Sequence, residues 1–104
     1  MLDKRVELHN KLIEVLPDLP NIYFSPPPSL LISYPCIVYN LDDIPTTKLD
    51  GVVYKQRHKY SVTIIDKDPD SELPEQLLSG FKYCTFDRAF ITDNLNHYVF
   101  ELYW

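Results

Sequence analysis

Glycine and cysteine are both scarce in this chain of 104 residues, which contains two of each. With so little glycine the chain lacks a Gly-rich loop of the kind that cradles phosphate groups. Its turns must be set instead by its nine prolines and by asparagine and aspartate. Cys36 and Cys84 are too few for a disulfide framework, and each falls within a strand-like segment. We therefore expect both cysteines to be reduced, buried side chains of a cytosolic product.

Long apolar runs and an excess of positive charge are missing as well. The first residues, LDKRVELHNKLIEVL, are amphipathic and charged rather than typical of a secretory signal, and no run approaches the length of a membrane span. The formal net charge is −5. Because nucleic-acid affinity depends on neutralising phosphates with Lys and Arg, this balance argues against a general nucleic-acid binder. The sequence predicts no membrane anchor, and its charge is compatible with soluble assembly or with a surface that does not bind passing DNA.

Catalytic motifs are also missing. The chain has no GxSxG, HExxH or CxxC motif, and no cysteine has a histidine near it in the sequence. His9 falls on a predicted helix, His58 on a polar segment and His97 at a strand start, and none has a partnered nucleophile. We therefore predict that the protein is not an enzyme and holds no cofactor.

Carboxylates occupy alternate positions from Asp66 to Glu72, which resembles the opening of a calcium-binding loop. The EF-hand pattern then requires Gly at its sixth position and Glu at its twelfth, and these positions hold Ser71 and Leu77. Acidic residues also suit the start of a helix, where they cap it and complement its dipole. We expect Asp70 or Ser71 to cap a helix here, and we predict no metal site.

Hydrophobic periodicity predicts two helices and five strands in one α+β domain spanning residues 1–104. The helices are predicted over residues 4–16 and 72–79, and the strands over residues 21–24, 36–41, 53–66, 82–91 and 97–104. The order is therefore α-β-β-β-α-β-β, with a mainly antiparallel sheet and the helices on one side. In the strand over residues 82–91, simple alternation places Cys84, Phe86, Arg88 and Phe90 on one face.

The longest of the predicted strands covers residues 53–66. Its second half alternates, with Tyr60, Val62 and Ile64 on one face. Residues 53–65 would span roughly 40 Å at about 3.3 Å per residue. Residues 55–59 are polar on both faces, so they cannot lie in the core of the same small domain. We expect residues 53–59 to leave the domain as an arm, with the loop over residues 42–52 at its tip.

Three features predict more apolar and basic surface than one small domain can bury or pair by itself. The first helix has an apolar arc of about 180°, against the ~100° stripe that one packed face needs. The loop presents aliphatic side chains, and the arm carries basic residues on one face. The interface candidates are Leu8, Leu12 and Val15 on the helix, Ile44 and Leu49 in the loop, and Tyr54, Lys55, Arg57 and Lys59 in the arm.

Each of these features also has an alternative interpretation. The first helix could lie in a deep groove on its own sheet, and the loop could be packed down locally. The basic residues with their neighbouring tyrosines resemble a small nucleic-acid strip, or could pair with acidic residues of a neighbouring subunit, or could keep an exposed strand soluble.

Three segments carry a resemblance to a known family. They are YPCIVYNLDD over residues 34–43, LDGVVYKQRHKYSVTIIDKDPDSELPEQL over residues 49–77, and CTFDRAFITDNLNHYVFELYW over residues 84–104. Together they resemble tailed-bacteriophage proteins of the head–tail joining block, described as tail terminator or tail completion proteins. The most specific marks are Tyr34-Pro35, residues 60–71, and Phe86-Asp87-Arg88 followed by residues 93–97. None of these is a catalytic motif.

The resemblance implies a structural virion protein, assembled in the host cytoplasm, that forms a ring, typically hexameric, at the head-proximal end of the tail tube. Its implied partners are copies of itself, the tail tube protein and a head-side connector or stopper protein, with DNA passing through an acidic lumen without specific binding. The resemblance implies no functional role for any individual residue. Two alternatives stay open: another neck subunit at the head-closure or adaptor level, and a small non-enzymatic protein-binding module.

Overall fold

The structure, a computed structural model, describes residues 2–19, 21–46, 48–53 and 57–104. These residues form one compact α+β domain, as predicted. The elements are α1 Leu2–Val15, β1 Ile22–Phe24, β2 Cys36–Asp43, β3 Lys48–Leu49, β4 Val52–Val53, β5 Lys59–Asp66, α2 Leu73–Gly80, β6 Cys84–Thr92 and β7 Leu95–Tyr103. Apart from the short β3 and β4, their order is the predicted α-β-β-β-α-β-β.

The main sheet has five strands in the order β1-β2-β5-β7-β6. Strands β1 and β2 pair in parallel, and the other neighbours pair antiparallel. A tight turn joins β6 to β7 through Asp93 and Asn94, whose φ angles are 52° and 61°. Two successive positive φ values are typical of a type I′ turn, which Asn and Asp tolerate well. Because β1 and β6 stand first and last in the strand order, they are the two edges of this sheet.

The core lies between one face of the sheet and the two helices. Strand alternation turns every second side chain of β2, β5 and β7 toward this face. The fully buried members from the sheet are Ile37, Tyr39, Val62, Ile64, Phe100 and Leu102, and those from the helices and their flanks are Leu8, Leu12, Leu16 and Leu77. Burying a side chain of this size contributes about 1.5–3 kcal/mol relative to leaving it exposed.

The predicted continuous strand over residues 53–66 is wrong, because β5 begins at Lys59. Val53 belongs instead to the small β3–β4 hairpin, which turns at Asp50 and Gly51 with φ angles of 53° and 77°. Residues 54–56 lie outside the described residues. Lys59 is the first residue of β5 with register partners on both sides, in β2 and β7. The length of the strand is thus determined by its neighbours rather than by its own pattern.

Strand β6 also departs from simple alternation. Its register with β7 shifts between Phe86 and Arg88, so Asp87 is an extra residue in a β-bulge. Phe86 lies opposite the buried Phe100 on the core side of the sheet. After the bulge, Arg88 and Phe90 lie on the outer face instead. The prediction that Cys84, Phe86, Arg88 and Phe90 share one face is therefore wrong.

Candidate functional site: interaction surfaces

Helix α1 buries two of its three predicted interface residues within its own domain. Leu8 and Leu12 are 0% exposed beneath the sheet, so their prediction as interface residues is wrong. Val15 is half-buried and packs against Gly80 of α2, so it too is largely used within the domain. Among the side chains of α1 that the structure describes, Val6 and Ile13 are apolar and exposed, at 42% and 49%. They are two turns apart and share a face.

The segment before β5 lies on its own domain rather than projecting from it. Lys59 Nζ is 3.2 Å from Asp42 Oδ2 and 3.3 Å from Glu101 Oε1, and hydrogen bonds to these two carboxylates raise the pKa of Lys59. Its charge is therefore already paired within the domain, and its role at an interface stays a prediction. The polar residues near β5 are accommodated because they lie at the end of the sheet, where acidic neighbours flank them.

Arg57 and His58 continue this contact. The Arg57 guanidinium lies 4.2 Å from the centroid of the Tyr83 ring. The backbone of His58 exchanges two hydrogen bonds with the backbone of Trp104, at 2.8 Å and 2.9 Å. The predicted arm is thus corrected for residues 57–59, while the candidates Tyr54 and Lys55 lie outside the described residues. Arg57 remains exposed and available to a partner.

The loop predicted at the tip of the arm contains the β3–β4 hairpin. Among the described residues its strands pack mainly against each other. Ile44, at its base, is exposed, and Val52 is 65% exposed. Leu49 lies in β3, and its backbone pairs with Val52. The molecule measures 50 × 30 × 24 Å along its principal axes, which is elongated for a domain of this size. The predicted apolar loop is therefore a hairpin with exposed aliphatic side chains.

Strand β6 exposes apolar side chains on both sides of the sheet edge, with Phe86 on the core side and Phe90 on the outer face, and sequence reasoning missed this. It is an edge strand of nine residues, and Phe86, Phe90 and Ile91 on it are all exposed, Ile91 at 73%. Phe90 stacks on His97 of β7 with ring centroids 4.7 Å apart. Alternation alone cannot reveal this exposure, which arises because an edge strand has a neighbour on one side only, so its side chains are less shielded.

A cleft of about 560 Å³ lies where the start of α1, the connection from α2 to β6, and the end of β7 meet. We call it the aromatic–cationic cleft. It is lined by Phe81, Tyr83, Tyr103 and Trp104, by the cations Lys4, Arg57 and Lys82, and by Glu7. The Trp104 indole N–H donates a hydrogen bond to the Lys4 carbonyl oxygen at 3.0 Å, and Phe81 meets the Trp104 ring edge-on at 6.0 Å.

The cleft concentrates positive charge on an acidic protein. The described residues that line it include three cationic side chains and one carboxylate, although the whole chain has a net charge of −5. Tyr83 and Tyr103 are both exposed within it. Exposed Tyr, Trp and Arg side chains are enriched at the energetic centres of protein interfaces. Its residues come from distant parts of the chain, so no local sequence signal could have identified the cleft.

The acidic turn between β5 and α2 has no metal-like geometry. The Asp68 N–H donates to Asp66 Oδ1 at 3.1 Å, and the Asp70 N–H donates to Asp68 Oδ1 at 2.9 Å. The Leu73 N–H donates to Ser71 Oγ at 3.3 Å, but the N-cap residue of α2 is Glu72 and no side chain caps the helix, so the prediction that Asp70 or Ser71 caps it is wrong. Within residues 2–19, 21–46, 48–53 and 57–104, no group of three or more His, Cys, Asp or Glu side chains could hold a metal ion.

The thiols and one histidine have shifted proton affinities. Burial raises the pKa of both Cys36 and Cys84 to about 11, so both thiols are protonated and weakly nucleophilic at neutral pH. His9 Nδ1 lies 2.7 Å from the Tyr39 hydroxyl, and burial followed by the nearby Arg5 charge lowers the pKa of His9. These groups belong to the packing of the domain and are not brought together.

Comparison of the chain with protein-family models, with curated proteins and with solved structures gives no match. Neither α1 nor α2, the helices of the described residues, is long and apolar enough to cross a membrane. The interaction surfaces are therefore the features of the fold from which a function can be argued.

Proposed function

We propose that this chain is a structural subunit of a tailed-phage virion. It forms a ring at the head-proximal end of the tail tube, terminates the tube and joins it to the head-side connector. The phage identity rests on the resemblance over residues 34–43, 49–77 and 84–104. The role as an assembly subunit rests on the geometry of the exposed surfaces.

The observation that carries the proposal is the open edge of β6. A long edge strand with exposed apolar side chains offers other chains both unpaired backbone hydrogen-bonding groups and apolar contact area. The bulge at Asp87 and the 2.7 Å ion pair from Arg88 to Asp87 interrupt the middle of this edge. Phe90 and Ile91 beyond the bulge remain exposed. We expect such an edge in a protein whose neighbouring subunits bury it in the assembled particle.

The β3–β4 hairpin supports the same role. A two-stranded hairpin by itself is at best marginally stable in water, and this one packs mainly against itself among the described residues. Contact with an adjacent subunit or with the tail tube would bury Val52 and Ile44, which are both exposed. The arm therefore gains its stability from assembly.

The charge of the chain fits passage of DNA through a ring. With a net charge of −5, the chain repels the phosphate backbone on average, and a lumen lined by its acidic residues would not retain DNA. The ring partners are copies of this chain, the tail tube protein and the connector or stopper protein, and DNA passes without specific binding.

Deletion of the gene from its phage genome tests the proposal. We expect DNA-filled heads and separate tails, and we expect the wild-type protein supplied from a plasmid to restore joined particles. Ile91→Asp should fail to restore them because it places a charge on the exposed edge. The matched control is Leu31→Asp, which changes an apolar residue that is 92% exposed in the loop between β1 and β2.

Two outcomes would contradict the proposal. Joined, infectious particles in the deletion phage would show that the chain has no part in head–tail joining. If the deletion tails join wild-type heads while the deletion heads reject wild-type tails, the protein acts at the head-closure or adaptor level instead.

A further inference from the structure

We propose that the aromatic–cationic cleft of one copy binds the acidic turn of a second copy, so that subunits associate head to tail. The acidic turn is the segment from Asp66 to Glu72. This inference deepens the proposed function, since it assigns the contact by which the ring would close.

The cleft has the chemistry to receive an acidic, partly apolar segment. Among the described residues, the ion pairs within 4.0 Å involve Lys11, Lys59 and Arg88, and none involves Lys4, Arg57 or Lys82. The Lys82 ammonium and the Arg57 guanidinium both lie over the ring of Tyr83, at 5.5 Å and 4.2 Å from its centroid. Their charges are therefore held at the mouth of the cleft without a carboxylate partner in the described chain.

The acidic turn has complementary chemistry. Its carboxylates are Asp66, Asp68, Asp70 and Glu72, against the single cation Lys67. None of these four takes part in an ion pair among the described residues. The Tyr98 hydroxyl donates a hydrogen bond to the Pro69 carbonyl oxygen at 3.2 Å and so holds the turn against β7.

Apolar side chains flank this turn, as they flank the cations of the cleft. A shallow hollow of about 420 Å³ beside it is lined by Pro69, Phe90 and Ile91, among others. Burial of these groups against Tyr83 and Tyr103 of the next copy would add an apolar contribution to the charge attraction. Apolar burial with charge complementarity gives both affinity and a defined orientation.

The two surfaces lie at opposite ends of the sheet. Strand β5 begins at Lys59, beside the cleft, and ends at Asp66, where the turn begins. At about 3.3 Å per residue these ends are roughly 23 Å apart, so one copy can use both surfaces at once. A contact between two different patches is heterologous, and it closes into a ring or extends as a filament. A second copy is the occupant we favour because the same chain carries both halves.

Charge reversal tests this contact. Lys82→Glu and Asp68→Lys, each alone, should weaken self-association at least about tenfold in sedimentation experiments at low salt, because like charges then face each other. Equimolar mixing of the two variants, or both changes in one chain, should restore association. Glu14→Lys is the matched control for Asp68→Lys, since this exposed residue on α1 undergoes the same charge change outside both surfaces.

Cross-linking identifies the contact directly. A zero-length carbodiimide applied to a mixture of ¹⁴N- and ¹⁵N-labelled protein should link Lys82 or Lys4 of one label to Asp68 or Asp70 of the other. Unchanged association of both single variants, the absence of mixed links, or a monomer at every concentration would overturn the inference. Protection of Lys82 by a short oligonucleotide, in place of the mixed links, would assign the cleft to phosphate instead.

Failure of this contact and failure of the proposed function are distinguishable. If the single variants restore joined particles and associate normally, the subunit contact lies elsewhere while the role in joining stands. If the variants and their mixture behave as expected but the deletion phage still makes joined particles, the contact stands and the role in joining does not.

Discussion

Gly80 at the end of α2 lies directly against the side chain of Val15 at the end of α1. A Cβ atom added to Gly80 would overlap both γ-methyl groups of Val15. The two helices can therefore approach this closely because one of them has no side chain at the crossing.

The first prediction concerns this crossing. Gly80→Ala should lower the free energy of unfolding by about 1–3 kcal/mol, because overpacking outweighs the gain in helix propensity. Combined with Val15→Ala, it should cost less than the sum of the two single changes, since the smaller residue makes room. Urea denaturation measures all three variants. Ser79→Ala, one residue away and exposed, serves as the control, and strict additivity would contradict the packing argument.

A second prediction concerns the pH dependence of stability. Burial and Arg5 lower the pKa of His9 in the folded protein from its ordinary value of 6.5. The unfolded chain therefore binds a proton more readily than the folded one, and stability should fall as pH drops below 6.5. The fall should end once pH is below the folded-state pKa. Denaturation of wild type and His9→Gln between pH 7.5 and 5 should show a shallower decline for the variant, and equal declines would contradict it.

The third prediction concerns thiol reactivity. Because burial raises the pKa of Cys36 and Cys84 from 9.0 to about 11, each forms roughly 100-fold less thiolate at pH 8 than an unperturbed thiol. Alkylation of the native protein should be slower by about this factor than alkylation of the urea-unfolded chain. Mass spectrometry of timed samples gives both rates. Rapid labelling of native Cys36 would mean that its burial is incomplete.

Lys59 gives a fourth prediction. Because its pKa is raised by Asp42 and Glu101, its contribution to stability is present below 10.5 and is lost as pH rises through the higher folded-state value. Lys59→Met should lower the melting temperature modestly at low salt, with a smaller difference in 1 M salt, where charges are screened. Lys11→Met is the control. A loss that does not depend on salt would point to packing of the lysine stem instead.

The hairpin arm gives a fifth prediction. Val52→Asp should change the free energy of unfolding by less than about 0.5 kcal/mol, because its side chain is mostly exposed. It should nevertheless reduce the yield of joined particles in complementation, whereas Leu31→Asp should not. Full complementation by Val52→Asp would remove the arm from the proposed contacts.

The fold class could be predicted because the hydrophobic pattern of each helix and strand was consistent with the turns that flank it. Ile37, Tyr39 and Leu41 alternate in sequence and line one face of the sheet, and Asp93-Asn94 turns between the two strands predicted on either side of it. The break between Val53 and Lys59 could not be predicted, because a strand ends where its partners end. The burial of Leu8 and Leu12 depends on how deeply α1 sits against the sheet, which an apolar arc cannot reveal. The cleft joins residues that are far apart in the chain.

The bulge at Asp87 divides β6 into two parts with different constraints. Before it, Phe86 must match the ring of Phe100, which it meets edge-on at 5.4 Å. After it, Arg88 and Phe90 lie on the outer face of the sheet and do not pack in the core. Substitutions at Arg88 and Phe90 can therefore change the outer surface of this edge while the contact between Phe86 and Phe100 keeps its place in the domain.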